Sequence, residues 1–211
     1  MSDPRLELLR DLPGALLVVD VQRSFADPEV LAHLSETARV DVAAAVLGVR
    51  AAIDLARTGG TAVVWLRLRV PPDDPWPASN WFRGRTPDDP WPTEWEPCVE
   101  GTDGIEWYAV EPLDGELVLD KRTYDGFAGT GLAETLHGWG TGWVAVTGLT
   151  GDCCVLETAG SAFTHGFRTL VVADATASHD RATHDAALRV LAEHSAVLVD
   201  LAEIEDLLLT P

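Results

Sequence analysis

The chain has 211 residues, of which 46% are hydrophobic and 23% are charged, as in an ordinary soluble globular protein. This length predicts a single domain that buries about 70% of the surface its unfolded chain exposes. The net charge of −19 argues against a nucleic-acid partner and an anionic membrane surface, since both require clustered Lys and Arg. Such a charge is typical of a solubilising surface or of a salt-adapted proteome.

The three cysteines have no spaced framework, which argues against a disulfide scaffold and favours a reducing cytoplasm. No stretch resembles a signal peptide, and no apolar run approaches the ~18 residues that span a bilayer. We therefore expect a cytoplasmic protein. Among its basic residues there are fourteen Arg and one Lys, Lys121. That lysine is either a chance survivor or is kept for its compact ammonium, whose pKa responds to its surroundings.

Short β-rich runs alternate with helical ones along the chain. The continuously apolar run 15–21 predicts a strand buried on both faces, and it carries Asp20 near its end. Further strands are predicted over residues 61–70, 116–121, 143–149, 169–173 and 196–200. Helices are predicted over residues 37–57, 132–139, 153–164, 181–194 and 202–209. This alternation predicts one three-layer α/β/α domain over residues 1–211, with a mostly parallel six-stranded sheet and helices on both faces.

Residues 71–104, the Trp-rich segment, interrupt this alternation after the second strand. The sequence Asp-Asp-Pro-Trp-Pro occurs at 73–77 and again at 88–92. Loops longer than about 12–15 residues are typically lids, binding loops or disordered, and the four Trp of this segment argue against disorder. Two compatible hypotheses remain: the indoles pack against the body or a neighbouring subunit, or they cover a substrate.

Three chemically unusual residues are expected at the carboxyl ends of strands, where open parallel sheets bind ligands. Asp20 ends the first strand, Lys121 ends the third, and Cys154 follows the fourth at the start of a helix. Taken singly, each is explained by a solvated strand end, a surface ammonium or a buried thiol. Together they supply a base, a cation and a nucleophile.

The three groups are expected to depend on one another. A Cys pKa lies near 8.5, and a helix N-terminus contributes only about 0.3–1 kcal/mol. Burial among residues 16–19 should raise the pKa of Asp20 and make it a better base. Lys121 should lower the pKa of Cys154 and limit the rise in that of Asp20. We predict that the trio titrates as a unit.

Four stretches resemble motifs of the isochorismatase-like cysteine hydrolase family, in the same order and spacing. Residues 19–25 (VDVQRSF) resemble its Asp-x-Gln-x-x-Phe opening, and residues 121–130 (KRTYDGFAGT) resemble its Lys…Tyr-x-x-Phe-x-Gly-Thr segment. Residues 148–155 (GLTGDCCV) are similar to its nucleophile turn, which ends in Cys-Val, and residues 174–175 match the Asp-Ala after the fifth strand. The likeness covers residues 12–205.

This resemblance implies roles for the residues of the nucleophile turn. Cys154 directly precedes Val and is therefore the expected nucleophile, whereas Cys153 occupies a variable position and Cys98 has no counterpart. A cis peptide is implied between Leu149 and Thr150. The backbone N–H groups of Thr150 and Cys154 are the implied oxyanion hole.

The metal site of the family's nicotinamidases is not expected here. Those enzymes carry Asp-x-His and a further His after the second strand. This chain reads WLRLR at residues 65–69 and has no His between His33 and His137. We therefore predict no metal and no cofactor, and nicotinamide is an unfavourable substrate. His179 and His184 are interpreted as surface residues flanking a helix.

These observations predict a metal-independent cysteine hydrolase that cleaves a C–N bond of a small amide, carbamoyl or ureido compound through a thioester. Asp20 would accept the Cys154 proton, and Lys121 would order charge around the thiolate. The protein is expected to form a homo-oligomer, a dimer or a tetramer. Substrate contacts are expected from Phe25, Trp65, Tyr124 and Phe127, with Arg67 or Arg69 binding an acidic group.

Two other functions remain open. An isochorismatase-type vinyl-ether hydrolase would need the Asp and the Lys but no thiolate, and Cys154 argues against it. A non-catalytic module that binds a small molecule or a protein is disfavoured by the presence of all three candidate residues.

Overall fold

The computed structural model describes residues 3–74, 76–86 and 96–209. Its strands are β1 (Gly14–Val19), β2 (Ala62–Leu68), β3 (Leu117–Lys121), β4 (Trp143–Leu149), β5 (Arg168–Ala177) and β6 (Val197–Val199). Its α-helices are α1 (Pro4–Glu7), α2 (Arg23–Ala26), α3 (Glu36–Gly59), α4 (Pro77–Phe82), α5 (Leu132–Gly138), α6 (Cys154–Thr164), α7 (Arg181–His194) and α8 (Leu201–Leu208). Short 3₁₀ turns lie at Val30–His33 and Asp103–Ile105.

In the described chain, the six strands form one parallel sheet in the order β3-β2-β1-β4-β5-β6. The chain begins in the middle of the sheet, runs outward to β3, and then returns past β1 to β4. Connections therefore leave β1 and β4 in opposite directions, and this opens a crevice at their carboxyl ends. The predicted α/β fold and the six predicted strands are confirmed.

Two apolar layers cover the sheet, one on each face. Leu16 and Val18 of β1 belong to the layer that contains side chains of α1, α3 and α8. Leu17 and Val19 belong to the opposite layer, with side chains of α5, α6 and α7. Because successive strand residues point to opposite faces, a strand covered on both sides must be apolar throughout. This explains why the sequence of β1 shows no polar alternation.

The long helix α3 has the ends that its sequence indicates. Ser35 precedes it, and the Ser35 hydroxyl accepts a hydrogen bond of 3.2 Å from the Ala38 N–H. Gly60 follows it in the left-handed conformation with φ 81°, a usual helix stop. The helices α1, α2 and α4 were not predicted, because four to six residues are too few to display a helical period.

Strand β5 is longer than predicted, running from 168 to 177 rather than from 169 to 173. Its pairing with β4 shifts register between Val146 and Gly148, so the last residues of both strands still pair. A Cβ on Gly148 would lie 2.0 Å from the Val19 carbonyl oxygen, which explains the glycine at this shift. The extension brings the end of β5 beside the turn that follows β4.

The described part of the Trp-rich segment is attached to the body at both ends. A parallel bridge joins Val70 to Val99, and the Trp76 ring packs edge-on against Tyr124 with centroids 6.0 Å apart. The second Asp-Asp-Pro-Trp-Pro copy lies outside the described residues. Among the described residues, no helix combines the length and the apolar character needed to cross a bilayer.

Candidate active site

A buried ion pair lies at the carboxyl edge of the sheet, at the crevice. Asp20 Oδ2 lies 2.6 Å from Lys121 Nζ, and both side chains are 0% exposed. Asp20 Oδ1 accepts a hydrogen bond of 2.8 Å from the Leu68 N–H, and Lys121 Nζ donates one of 3.0 Å to the Thr123 carbonyl. Since Lys121 ends β3 and Asp20 follows β1, the pair spans the end of β2. Two predicted site residues are thus brought together.

Gln22 supports this pair and was not assigned a role from sequence. Its amide oxygen accepts a hydrogen bond of 2.9 Å from the Leu68 N–H, the same group that donates to Asp20. Its amide nitrogen donates to the Leu68 and Ile105 carbonyls, each at 2.9 Å. The side chain is fully buried. The Asp-x-Gln spacing could have identified Gln22 from the sequence. A Gln two residues after a buried Asp is itself expected to be buried, and the polar atoms of a buried amide need hydrogen-bond partners nearby.

Cys154 is the first residue of α6 and is 3% exposed. Its thiol lies close enough to Asp20, Lys121 and Cys153 for each of these groups to shift its pKa. The helix dipole favours negative charge at this position. The structure therefore brings together the predicted nucleophile, base and cation.

Burial and mutual contact shift the pKa of every member of this cluster. Burial raises the pKa of Asp20, and contacts with Lys121 and Cys154 offset this only in part. Burial alone would lower the pKa of Lys121, but the Asp20 and Cys154 charges outweigh it and raise the pKa to about 12. The Asp20 shift has the predicted direction.

The Cys154 shift is opposite to the prediction. Its hydrogen bond with Cys153, its burial and the Asp20 charge together raise the pKa of Cys154 well above the usual thiol value. Lys121 acts in the lowering direction but is outweighed. The same thiol–thiol hydrogen bond lowers the pKa of Cys153. Cys154 therefore rests as a neutral thiol and needs a base at the moment of attack.

The turn between β4 and α6 has the implied backbone. The Leu149–Thr150 peptide is cis. The Thr150 carbonyl accepts hydrogen bonds of 3.1 Å from the N–H groups of Cys153 and Val155. Within the described ranges, no hydrogen bond uses the N–H of Thr150 or of Cys154. These two donors are thus available to a ligand.

Of the predicted substrate-contacting residues, Tyr124 lies near the thiols, whereas Phe25 lies at a cavity that none of Asp20, Lys121 and Cys154 lines. Tyr124 is 36% exposed, and its hydroxyl is close enough to Cys153 and Cys154 to be influenced by their charges. Arg83, from the Trp-rich segment, is close enough to act on the pKa of Tyr124 in the lowering direction. Phe25 is half-buried and borders a cavity of about 550 Å³. Their contact with substrate stays a prediction.

The structure places Trp65 and Phe127 in the core, and their contact with substrate stays a prediction. Trp65 is fully buried on the face of the sheet opposite to Cys154, and its indole N–H donates a hydrogen bond of 2.7 Å to Glu116. Phe127 is 6% exposed and stacks on His165 beyond the far end of α6, with centroids 5.1 Å apart.

The arginines of β2 and its extension do not point to an acid-binding site. Arg67 Nε lies 2.7 Å from Asp120, and Arg69 Nε lies 2.7 Å from Glu100. Arg69 also reaches Asp120 at 3.0 Å. Because both guanidinium groups already have carboxylate partners, the prediction that one of them binds an acidic substrate gains no support.

The histidines are not free surface residues as interpreted from sequence, since both are half-buried. His179 Nε2 lies 3.4 Å from the Phe25 carbonyl, and His184 Nδ1 lies 3.2 Å from Ser178 Oγ. In residues 3–74, 76–86 and 96–209, no group of three His, Cys, Asp or Glu side chains has a spacing that could hold a metal ion.

A thiol, a carboxylate and an ammonium thus lie together at the switch point of a parallel sheet, an arrangement that can support catalysis by a cysteine. The Isochorismatase domain family matches residues 14–203, and the chain belongs to this family.

Several characterised proteins are similar to the chain over most of its length. Maleamate amidohydrolase of Pseudomonas putida is 30% identical over 175 residues, covering 82% of this chain and 76% of that protein. Nicotinamidase 3 of Arabidopsis thaliana is 29% identical over 204 residues, covering 93% of this chain and 89% of that protein. The crystal structure of N-carbamoylsarcosine amidase from Thermoplasma acidophilum has a TM-score of 0.68 at 30% identity, covering 90% of this chain and 96% of that one.

Proposed function

We propose that this protein is a cysteine hydrolase that cleaves a C–N bond of a small amide, carbamoyl or ureido compound. The observation that carries the proposal is the fully buried Asp20–Lys121 pair, whose charged atoms are 2.6 Å apart and which lies close enough to the Cys154 thiol to shift its pKa. This cluster supplies a nucleophile, a proton acceptor and a fixed cation in one desolvated place.

The first step would form a thioester. Asp20 accepts the proton of the Cys154 thiol as the sulfur attacks the substrate carbonyl carbon. Burial favours this transfer, because it raises the pKa of Asp20 and makes the carboxylate a stronger base. The new oxyanion faces the free N–H groups of Thr150 and Cys154. When the tetrahedral intermediate collapses, the C–N bond breaks and the leaving nitrogen takes the proton from Asp20.

The second step would release the acid. A water molecule attacks the thioester carbonyl carbon and gives its proton to Asp20. The C–S bond then breaks, and the Cys154 sulfur recovers the proton. Lys121 keeps its charge throughout, as its pKa of about 12 requires at neutral pH. Its ammonium holds the Asp20 carboxylate in place and stabilises the transient thiolate.

The substrate class is supported by the relatives and by the side chains of the site. The names of the similar enzymes specify maleamate, N-carbamoylsarcosine and nicotinamide as substrates. The sequence lacks the His residues after β2 that the nicotinamidases use to bind metal, and this disfavours nicotinamide. We propose a metal-free site, so that exhaustive chelation should leave activity intact.

The setting of the enzyme belongs to the same proposal. The charge of −19 and the free cysteines favour a cytoplasmic enzyme that binds neither nucleic acid nor membrane. We expect a homo-oligomer, a dimer or a tetramer. The Trp-rich segment would border the way in, since Trp76 touches Tyr124 and Arg83 reaches the same tyrosine.

A hydrolase screen tests the proposal. Maleamate, an N-carbamoyl amino acid, a ureido acid, nicotinamide and isochorismate would each be incubated with wild type, Cys154→Ser and the control Cys98→Ser. We expect amine or ammonia release from one of the first three, lost in Cys154→Ser and kept in Cys98→Ser. Isochorismate turnover that survives Cys154→Ser would instead favour vinyl-ether hydrolysis. Specific binding with no turnover of any compound would favour a binding module.

A further inference from the structure

A second polar cluster lies behind the nucleophile turn, on the side away from Asp20. Ser178 directly follows β5 and is 3% exposed. Its hydroxyl accepts a hydrogen bond of 2.9 Å from the Asp152 N–H and lies 3.2 Å from His184 Nδ1, in the first turn of α7. The Gly151 N–H donates a hydrogen bond of 2.8 Å to the Ala177 carbonyl. The middle of the turn is thus tied to β5 and, through Ser178, to α7.

The imidazole of His184 also packs directly against the backbone of the turn. A Cβ on Gly151 would lie 2.4 Å from His184 Nδ1 and 2.7 Å from Cε1, so any side chain at this position would force the imidazole or the turn to move. The glycine is therefore needed for close approach rather than for a positive φ. Packing and hydrogen bonding independently connect His184 to the turn.

We propose that Ser178 and His184 are positioning residues, which hold the oxyanion-binding N–H of Thr150 in its productive direction. The inference rests on the proposed function, in which that N–H faces the developing oxyanion. Thr150 is joined to the clamped residues Gly151 and Asp152, so a rotation of their peptides would turn the Thr150 amide as well. Neither Ser178 nor His184 needs to touch the substrate. Such a device favours the transition state over the bound substrate, because negative charge develops on the oxygen only as the thiol attacks.

The hydrogen-bond directions are consistent with a neutral imidazole. Because the Ser178 oxygen accepts from the Asp152 N–H, its own proton is available to donate to His184 Nδ1. Burial lowers the pKa of His184, so the ring is neutral at pH 7 and can accept this proton. The charged groups that face it are Asp152 on the turn, Asp41 on α3, and Arg181 and Asp185 on α7.

Three variants separate positioning from packing. Ser178→Ala removes the acceptor of the Asp152 N–H. His184→Asn keeps an acceptor near the position of Nδ1, whereas the longer His184→Gln displaces it toward that of Nε2. We expect Ser178→Ala and His184→Gln to lower kcat roughly tenfold, with KM changed less than about twofold, since one misdirected oxyanion donor costs less than the ~10²–10³ of a deleted one. His184→Asn should keep most of the wild-type kcat.

Two readouts that need no substrate accompany the kinetics. The rate of Cys154 alkylation by iodoacetamide should stay within about twofold of wild type, because the contacts of the thiol with Asp20 and Lys121 are untouched. Backbone hydrogen exchange in residues 150–153 should accelerate in Ser178→Ala and His184→Gln but not in His184→Asn.

Three results would overturn the inference. They are unchanged kcat and exchange in Ser178→Ala, alkylation that falls in parallel with kcat, and equal losses in His184→Asn and His184→Gln. If wild type turns over no amide, the proposed function fails. The exchange measurement then still decides whether Ser178 and His184 hold the turn.

Discussion

Replacing Asp20 by Asn should lower both the stability of the protein and its kcat, for two separate reasons. The Asn amide oxygen can still accept from the Leu68 N–H, as Asp20 Oδ1 does at 2.8 Å. Its NH₂ group, however, would face the Lys121 ammonium at the position where Oδ2 now lies 2.6 Å away. A cation would be left unpaired at a site that is 0% exposed. Breaking a buried ion pair in this way costs roughly 3–5 kcal/mol of unfolding free energy.

The matched variant removes the other member of the ion pair, Lys121. Lys121→Met retains a long side chain but leaves Asp20 without its cation. The pKa of Asp20 should therefore rise further, and its carboxyl should become protonated. The double variant Asp20→Asn/Lys121→Met removes both charges and pairs an amide with an apolar chain. We expect it to lose less free energy of unfolding than Asp20→Asn alone, with a coupling of roughly 2–3 kcal/mol.

The double variant should recover part of the lost stability but none of the lost kcat. A general base contributes about 10²–10⁴ to the rate, so Asp20→Asn and the double variant should both lose kcat by that factor. Urea unfolding followed by Trp fluorescence and amide turnover would be measured on the same preparations. Additive losses of stability in the double variant would show that the ion pair is not the coupled unit we describe. Near-wild-type kcat in folded Asp20→Asn would remove Asp20 as the base.

Further outcomes are expected elsewhere in the molecule. When turnover is quenched with acid, peptide mapping should find the acyl group on Cys154, and an acyl group on Cys153 would contradict the assignment. The variant Cys154→Ser should lower kcat by roughly 10³ or more, whereas Cys153→Ser and Cys98→Ser should keep most of the wild-type kcat. Although Glu116 is partly buried, its hydrogen bonds lower its pKa below the usual 4.5, so its contribution to stability is complete above that pH and is lost as the pH falls through its folded pKa. Acid unfolding of Glu116→Gln should accordingly depend less on pH. Replacing residues 75–95 by a short Gly/Ser linker should raise KM or lower kcat while the sheet still folds; altered assembly by light scattering with wild-type kcat/KM would assign the segment to a subunit contact.

Much of the fold could be predicted from local patterns. The apolar run of β1 and the periodicity of α3 are properties of neighbouring residues, which fix secondary structure before any tertiary contact is known. Since Asp20, Lys121 and Cys154 lie at or just after the ends of three predicted strands, parallel pairing alone places them at one edge of the sheet. The candidate trio therefore followed from chain order, and the family resemblance followed from the four motifs.

Only the tertiary structure decided how those elements meet. The strand order places β1 beside β4, and this juxtaposition brings the Cys154 thiol to the Asp20–Lys121 pair. Contact with Cys153 then reverses the direction expected for the Cys154 pKa. These outcomes depend on distances between residues far apart in sequence, which local propensity does not determine.

The face of the sheet on which a side chain lies is the clearest feature that the sequence left undetermined. In a strand buried on both sides, apolar residues point both ways, so the pattern of β2 does not indicate whether Trp65 faces the site or the opposite layer. The sequence also did not indicate the register shift between β4 and β5. Because of this shift, β5 extends to the residue before Ser178, and His184 lies against the nucleophile turn. Sequence determined which residues could do chemistry, and packing determined which of them reach the nucleophile, because contact across a sheet is set by strand order and register.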